Sequence, residues 1–195
     1  MGNFSSLTIV VVDGRAGDRS GAVRSIALSQ RELPGALGLL LCPERPAFLP
    51  QGIAHVPIAP MSYFEYSCFV LYALHQFIKT DWCLVVQEDG WVLDGRNWLE
   101  AFWQYDFIGA PTHSAKVSLD GQPPRYMRRY GWTRHLGTSC TLHYVMNGGF
   151  SLRSKRLLEA PTRLRIPFAV SPMVAIRSDD GFALAQGDDC HLEDV

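Results

Sequence analysis

The chain has 195 residues, 47% hydrophobic and 19% charged, with a formal net charge of -1 and a pI near 6.6. This length and composition suit one soluble globular domain, and the near-neutral charge excludes a general electrostatic pull toward nucleic acid or anionic lipid. The five cysteines, Cys42, Cys68, Cys83, Cys140 and Cys190, are odd in number and form no CxxC pair, which argues against a zinc site or redox motif and for a reducing compartment.

Ser6–Val12 (SLTIVVV) predicts a strand buried on both faces that stops at Asp13-Gly14-Arg15. The run has no basic leader and meets charge at once, so neither a signal peptide nor a membrane span is expected, and the protein is read as cytoplasmic. Ala22, Val23, Ile26 and Ala27 predict a helix from about Gly21 to Glu32, closed by Pro34-Gly35. Leu37–Cys42 is a second strand, and Ile53–Ile58 a third, which Pro57 assigns to an edge or a short piece.

Ser62-Tyr63-Phe64-Glu65 fits a capping box, and an apolar stripe from Tyr66 to Ile78 predicts a helix through Lys79. Trp82–Gln87 follows as the most hydrophobic strand, expected to be central. Strands and helices alternating in this way predict an α/β fold with a mainly parallel sheet. Further on, Asn97 is expected to cap a short helix over Trp98–Trp103, and Phe107–Ala110 a short strand before Pro111. Residues 112–141 lose the pattern and read as a long basic loop carrying Lys116, Arg125, Arg128, Arg129 and Arg134. Leu142–Arg153 restores order, a short helix covers Ser154–Glu159, and the tail from Ser178 is acidic.

Ligands in open α/β sheets bind outside the carboxyl ends of the parallel strands, so the strand ends hold the candidate chemistry. Gln87-Glu88-Asp89-Gly90 ends the central strand in two acids that suit either a hard divalent cation carrying a diphosphate or a solvated turn. Val12, Asp13 and Arg15 stand at the end of the first strand, where base, ribose or phosphate would be met, although Asp-Gly is also an ordinary turn pair. Arg19 and Arg24 are further candidates for phosphate. Asn147-Gly148-Gly149-Phe150 places adjacent glycines inside an apolar run, as a bulge does or a backbone approached closely by a ligand. The six histidines show no HxxxH or HxH spacing.

Taken together, SYFEYSCFVLYALHQFIK (62–79), TDWCLVVQEDGWVL (80–93), WLEAFWQYDFIGAP (98–111) and NGGFSLRSKRLL (147–158) resemble a little-characterised group of glycosyltransferase-like domains. That group is marked by Q-x-D-G, Y-D-[FY]-I-G-A-P and N-G-G-F-S-L-R, and the resemblance covers about half the chain in the right order. It is similar to nucleotide-sugar glycosyltransferases of the A-type fold. The resemblance implies a single Rossmann-like domain over residues 1–195, with a mixed, mainly parallel sheet and flanking helices. It also implies Mn²⁺ or Mg²⁺ held by Asp89 with Glu88 beside it, a nucleotide met by Val12, Asp13 and Arg15, and substrate met by Gln87, Asn147, Gly148 and Gly149. The pair Glu193-Asp194 would supply the general base, if the reaction inverts. Implied partners are a nucleotide-sugar donor and a glycan or other hydroxyl acceptor, in surface glycan or polysaccharide assembly, with no nucleic acid and no transmembrane segment. Two features depart from the group: the acidic motif is E-D-G, and the chain stops at EDV where such domains usually continue. A non-catalytic sugar- or nucleotide-binding module is therefore the second reading. A metal-dependent phosphohydrolase is the third, although clustered His and Asp ligands are missing.

Overall fold

The computed structural model describes residues 3–119, 125–127, 140–167, 173–176 and 183–186. They fall into two compact units, Met1–Ala110 with Gly148–Ile166, and Pro111–Asn147 with Pro167–Val195.

The first unit is α/β. Its strands are β1 (Leu7–Val12), β2 (Leu37–Cys42), β3 (Ile53–Pro57), β4 (Trp82–Val85), the opening of β5 (Phe107–Leu119) and the end of β7 (Cys140–Ser154), while β6 (Arg125–Met127) belongs to the second unit. They lie in the order β3-β2-β1-β4-β7-β5. β3, β2, β1 and β4 are mutually parallel, whereas β4 and β7 run antiparallel, with Val85 opposite Ser151 and Cys83 opposite Arg153. The sheet is thus mixed, and the expected mainly parallel sheet is corrected. A parallel neighbour requires a crossover, usually helical, and between β4 and β7 the described residues form 3-10 turns and the strands β5 and β6 but no α-helix.

Three helices cover this sheet. On one face α1 (Ser20–Glu32) packs Ala22, Val23 and Ile26 against Ile9, Val11, Leu40 and Leu84. On the other face Val70 of α2 (Tyr63–Tyr72) and Leu158 of α3 (Lys155–Arg163) pack with Val10, Val12, Leu41 and Val85. Alternate residues of β1 therefore enter two different cores, which is why its sequence, Thr8 apart, is apolar and shows no period of two. β3 pairs only with β2 and is an edge, as its proline predicts.

Several expected boundaries shift. α2 begins with the full capping box, the Ser62 N–H donating to Glu65 Oε2 at 2.7 Å and the Glu65 N–H donating to Ser62 Oγ at 3.3 Å. It does not reach Lys79: it ends at Tyr72, and a 3-10 turn over Leu74–Gln76 keeps Leu74 and Ile78 buried. The cap expected at Asn97 belongs to Asp94, whose Oδ1 accepts the Arg96 N–H at 2.9 Å, because Gly95–Asn97 forms a 3-10 turn of its own. A second 3-10 turn, Glu100–Gln104, stands where the short helix was expected, and it presses Phe102 and Trp103 onto Trp98 with ring centroids 5.5 and 4.9 Å away.

The second unit corrects the long-loop expectation over 112–141. β5 continues to Leu119 and pairs antiparallel with β6, and β7 already begins at Cys140; residues 120–124 and 128–139 of that stretch lie outside the described residues. β8 (Met173–Ile176), just before the acidic tail, and β9 (Ala183–Gln186), within it, form an antiparallel pair. No helix among the described residues is long and apolar enough to cross a membrane.

Candidate functional site

β1 and β4 are adjacent and parallel, so the segments leaving their carboxyl ends emerge side by side. Between them and the first turn of α2 lies a cleft of about 290 Å³, lined by Val12, Asp13, Arg15, Met61, Tyr63 and Tyr66 among others, with Gln87, Glu88 and Asp89. Six of the sequence-predicted site residues, Val12, Asp13, Arg15, Gln87, Glu88 and Asp89, thus share one cavity wall.

Close packing holds that wall in place. The Gly14 carbonyl accepts the Met61 N–H at 3.1 Å, and a Cβ on Gly14 would fall 2.1 Å from Met61 Cγ. Only glycine lets the β1 loop sit this near the chain that enters α2. Val86 extends β4 by one backbone hydrogen bond to Val10, and the Gly90 N–H then closes a turn on the Gln87 carbonyl at 3.1 Å. That turn carries Gln87, Glu88 and Asp89 out of the sheet into the cleft.

Asp13 is only 6% exposed and accepts from Arg15 three times, from the backbone N–H at 3.1 Å and from Nε and Nη2 at 2.9 Å. Arg19 adds an ion pair at 3.5 Å. Burial alone would raise the Asp13 carboxyl, but these hydrogen bonds and the two nearby cations outweigh it and hold the group below the ordinary range. Asp13 is therefore an anchor for arginines, with both oxygens engaged. Arg15 reaches onward to Glu88, its Nη1 donating to Oε1 and its Nη2 pairing with Oε2, both at 3.0 Å. Its guanidinium ties the β1 loop to the β4 turn.

Asp89 is exposed and has no hydrogen bond or ion pair among the described residues. Among the described residues no group of three or more His, Cys, Asp or Glu side chains is assembled for a metal. Mg²⁺ commonly keeps its waters and takes one or two carboxylates together with substrate phosphates. Asp89 fits that donor role; Glu88, held by Arg15, does not fit it in this arrangement.

On the β7 side Gly149 backs Gln87, a lining residue of the cleft. A Cβ on Gly149 would lie 2.3 Å from Gln87 Oε1, so the glycine lets the Gln87 amide lie against the strand, and the same amide contacts the Tyr66 phenol. The Gly148 carbonyl accepts from Ser151 Oγ at 2.9 Å and from Arg153 Nη2 at 3.3 Å. Arg153 is 8% exposed, its guanidinium stands 5.3 Å from the Phe107 ring centre, and burial pulls its pKa below the usual arginine value. Asn147 is placed on β7 by its backbone alone. Glu193 and Asp194 lie outside the described residues.

Sequence reasoning misses Tyr66 and Arg153. Tyr66 reads as one more member of the apolar stripe of α2, and its neighbourhood with Gln87 is visible only in three dimensions. Arg153 had a signal: it is a charged residue within a strand otherwise destined for the core.

A family model described as protein of unknown function (DUF5672) matches residues 62–180, more than half of the chain, and the chain belongs to that family. The matched span contains QEDG, YDFIGAP and NGGFSLR, whereas Asp13 and Arg15 precede it and Glu193 and Asp194 follow it. No curated protein matches the chain.

Proposed function

We propose that the protein is a nucleotide-sugar glycosyltransferase on a Rossmann-like A-type fold, passing a sugar to a hydroxyl acceptor in surface glycan or polysaccharide assembly in the cytoplasm. The observation that carries this reading is the single cleft at the carboxyl ends of β1 and β4, where the Asp13 loop meets the Gln87-Glu88-Asp89 turn. The β1 loop, with Val12 and the Asp13-fixed Arg15, binds the nucleotide and offers a guanidinium to its phosphates. Asp89 would hold Mn²⁺ or Mg²⁺, which when bound supplies positive charge to the leaving diphosphate. Gln87, with Gly149 packed against its amide, would orient the sugar, and the family resemblance adds Asn147 and Gly148 to that role. Deprotonation of the acceptor falls to Glu193 or Asp194.

Calorimetric titration with UDP and GDP, with and without Mn²⁺, tests the reading. Metal-enhanced nucleotide binding that is lost in Asp89→Ala is the expected result, and no binding of any nucleotide or nucleotide sugar overturns it.

A binding module without turnover is the second reading, favoured by one observation. Asp13 and Glu88 are both ion-paired, which leaves Asp89 the one unpaired carboxylate among the described residues of the cleft. It predicts nucleotide-sugar binding without sugar transfer to any acceptor and without slow hydrolysis of the donor.

A further inference from the structure

Arg15 has two sides in different states. On one side, buried Asp13 grips Nε and Nη2. On the other, Nη1 and Nη2 face the two oxygens of Glu88, 3.0 Å each, in the forked geometry by which arginine takes a carboxylate or a phosphate. The Asp13 side is fixed by burial; the Glu88 side is open, with Arg15 60% and Glu88 45% exposed. Exposed ion pairs of this kind contribute little net free energy, so Glu88 leaves Arg15 at little cost.

The Glu88 carboxylate also rests over the start of α1. Its Oε2 is 3.5 Å and its Cβ 3.1 Å from where a Cβ on Gly21 would stand. The N-cap residue Arg19 makes no side-chain cap hydrogen bond, and Asp18 Oδ1 accepts the Ser20 N–H at 3.0 Å, which satisfies one N–H of the first turn and leaves Gly21 facing Glu88. Arg19 is itself buried at the Asp13 carboxylate, and its Nε has no hydrogen-bond partner. A guanidinium fixed on one side and open on the other, with a second buried cation behind it, makes a setting for an oxyanion, and a carboxylate of the chain already sits in it.

We propose that Glu88 is the resident occupant of a diphosphate site built on Arg15, and that a phosphorylated ligand binds by taking its place. The inference rests on the reading of this cleft as a phosphate-bearing site, but it gives Glu88 a role opposite to the metal ligand first expected. Glu88 competes with the ligand, so removing its charge strengthens binding.

The test uses the full chain, inorganic pyrophosphate and a chelator, followed by calorimetry. Glu88→Gln and Glu88→Ala are each expected to bind pyrophosphate roughly 3- to 10-fold tighter than the unaltered protein, from loss of the competing pair and of its repulsion. Arg15→Gln is expected to lose the binding. Unchanged or weaker affinity in both Glu88 variants overturns the proposal, as does the absence of pyrophosphate binding in all proteins. Tighter pyrophosphate binding without any affinity for nucleotide sugars sustains the site and removes the glycosyltransferase reading. Nucleotide-sugar binding that Glu88→Gln fails to strengthen removes the competition and leaves that reading in place.

Discussion

Glu88 at the cleft and Asp106 at the start of β5 each hold an arginine with two contacts, and the two pairs are exposed to a similar degree, 45% and 60% for Glu88–Arg15 against 38% and 68% for Asp106–Arg156. Burial therefore does not distinguish them. Their other partners do. Asp106 accepts from the Ser154 hydroxyl as well as from Arg156, its carbonyl accepts the Ser154 N–H at 2.9 Å, and Ser154 Oγ in turn caps α3 through the Leu157 N–H at 3.0 Å. Among the described residues Glu88 is held by Arg15 and by no backbone donor. The Asp of YDFIGAP thus locks a helix onto a strand, while the Glu of QEDG is bound loosely enough to leave. An acid in a recurrent motif is structural or exchangeable according to what else it touches.

The frame around each acid is the first place to press on this contrast. Gly14→Ala drives a Cβ into Met61 and is expected to cost about 2–3 kcal/mol in urea unfolding, since both backbones are pinned by a shared hydrogen bond. Asp106→Ala strips the cap of its support and is expected to cost about 2 kcal/mol by the same measurement. Ser154→Ala removes the cap and the hydroxyl that donates to Asp106 but leaves the Asp106–Arg156 pair, and is expected to cost about 1 kcal/mol, so an effect larger than that of Asp106→Ala would show that the Arg156 pair contributes little.

Acid titration sharpens the comparison further. The Arg156 and Ser154 hydrogen bonds hold the Asp106 carboxyl below the ordinary aspartate range. A depressed pKa contributes stability that is complete above the unfolded value of about 4 and is lost as pH falls through the folded one. The stability gap between the unaltered protein and Asp106→Asn should therefore narrow as melts are run from pH 5 toward pH 2. Glu88→Gln comes last, with an expected change within about 0.5 kcal/mol at neutral pH. A loss above 1 kcal/mol would place Glu88 with Asp106 as a structural acid and end the contrast.

What could be read from sequence follows from what is local. β1 and β2 are legible because strands buried on both faces are apolar at every position, and the start of α2 because Ser62 and Glu65 satisfy each other within one turn. The direction of β7 is not local: NGGFSLR has the same pattern whichever way its neighbour runs, and an antiparallel partner is fixed by the route of the chain between them. The stripe from Tyr66 to Ile78 continues through the change to a 3-10 turn, so periodicity reports the buried face and not the hydrogen-bond ladder. Polar residues at Lys116 and Arg125 hide β5 and β6, which pair at these positions in a stretch that reads as loop. In the cleft, strand ends single out Val12, Asp13, Arg15, Gln87, Glu88 and Asp89, but the engagement of Glu88 by Arg15 joins positions 73 residues apart and has no sequence signal.

The antiparallel ladder between β4 and β7 has a bearing on how freely the rest of the chain can vary. Because β7 enters the sheet where β4 leaves it, Gly149 comes to rest against Gln87, and the two are aligned by register alone, with Val85 opposite Ser151. Between these strands Gln87, Glu88 and Asp89 line the cleft and Trp98 and Trp103 pack on the core; the remainder is, for the cleft, a tether. Closing a tether grows only logarithmically with its length, about 0.6 kcal/mol for each doubling. That remainder can therefore change in length at little cost while Gly149 stays against Gln87, because the β4–β7 register alone carries their alignment.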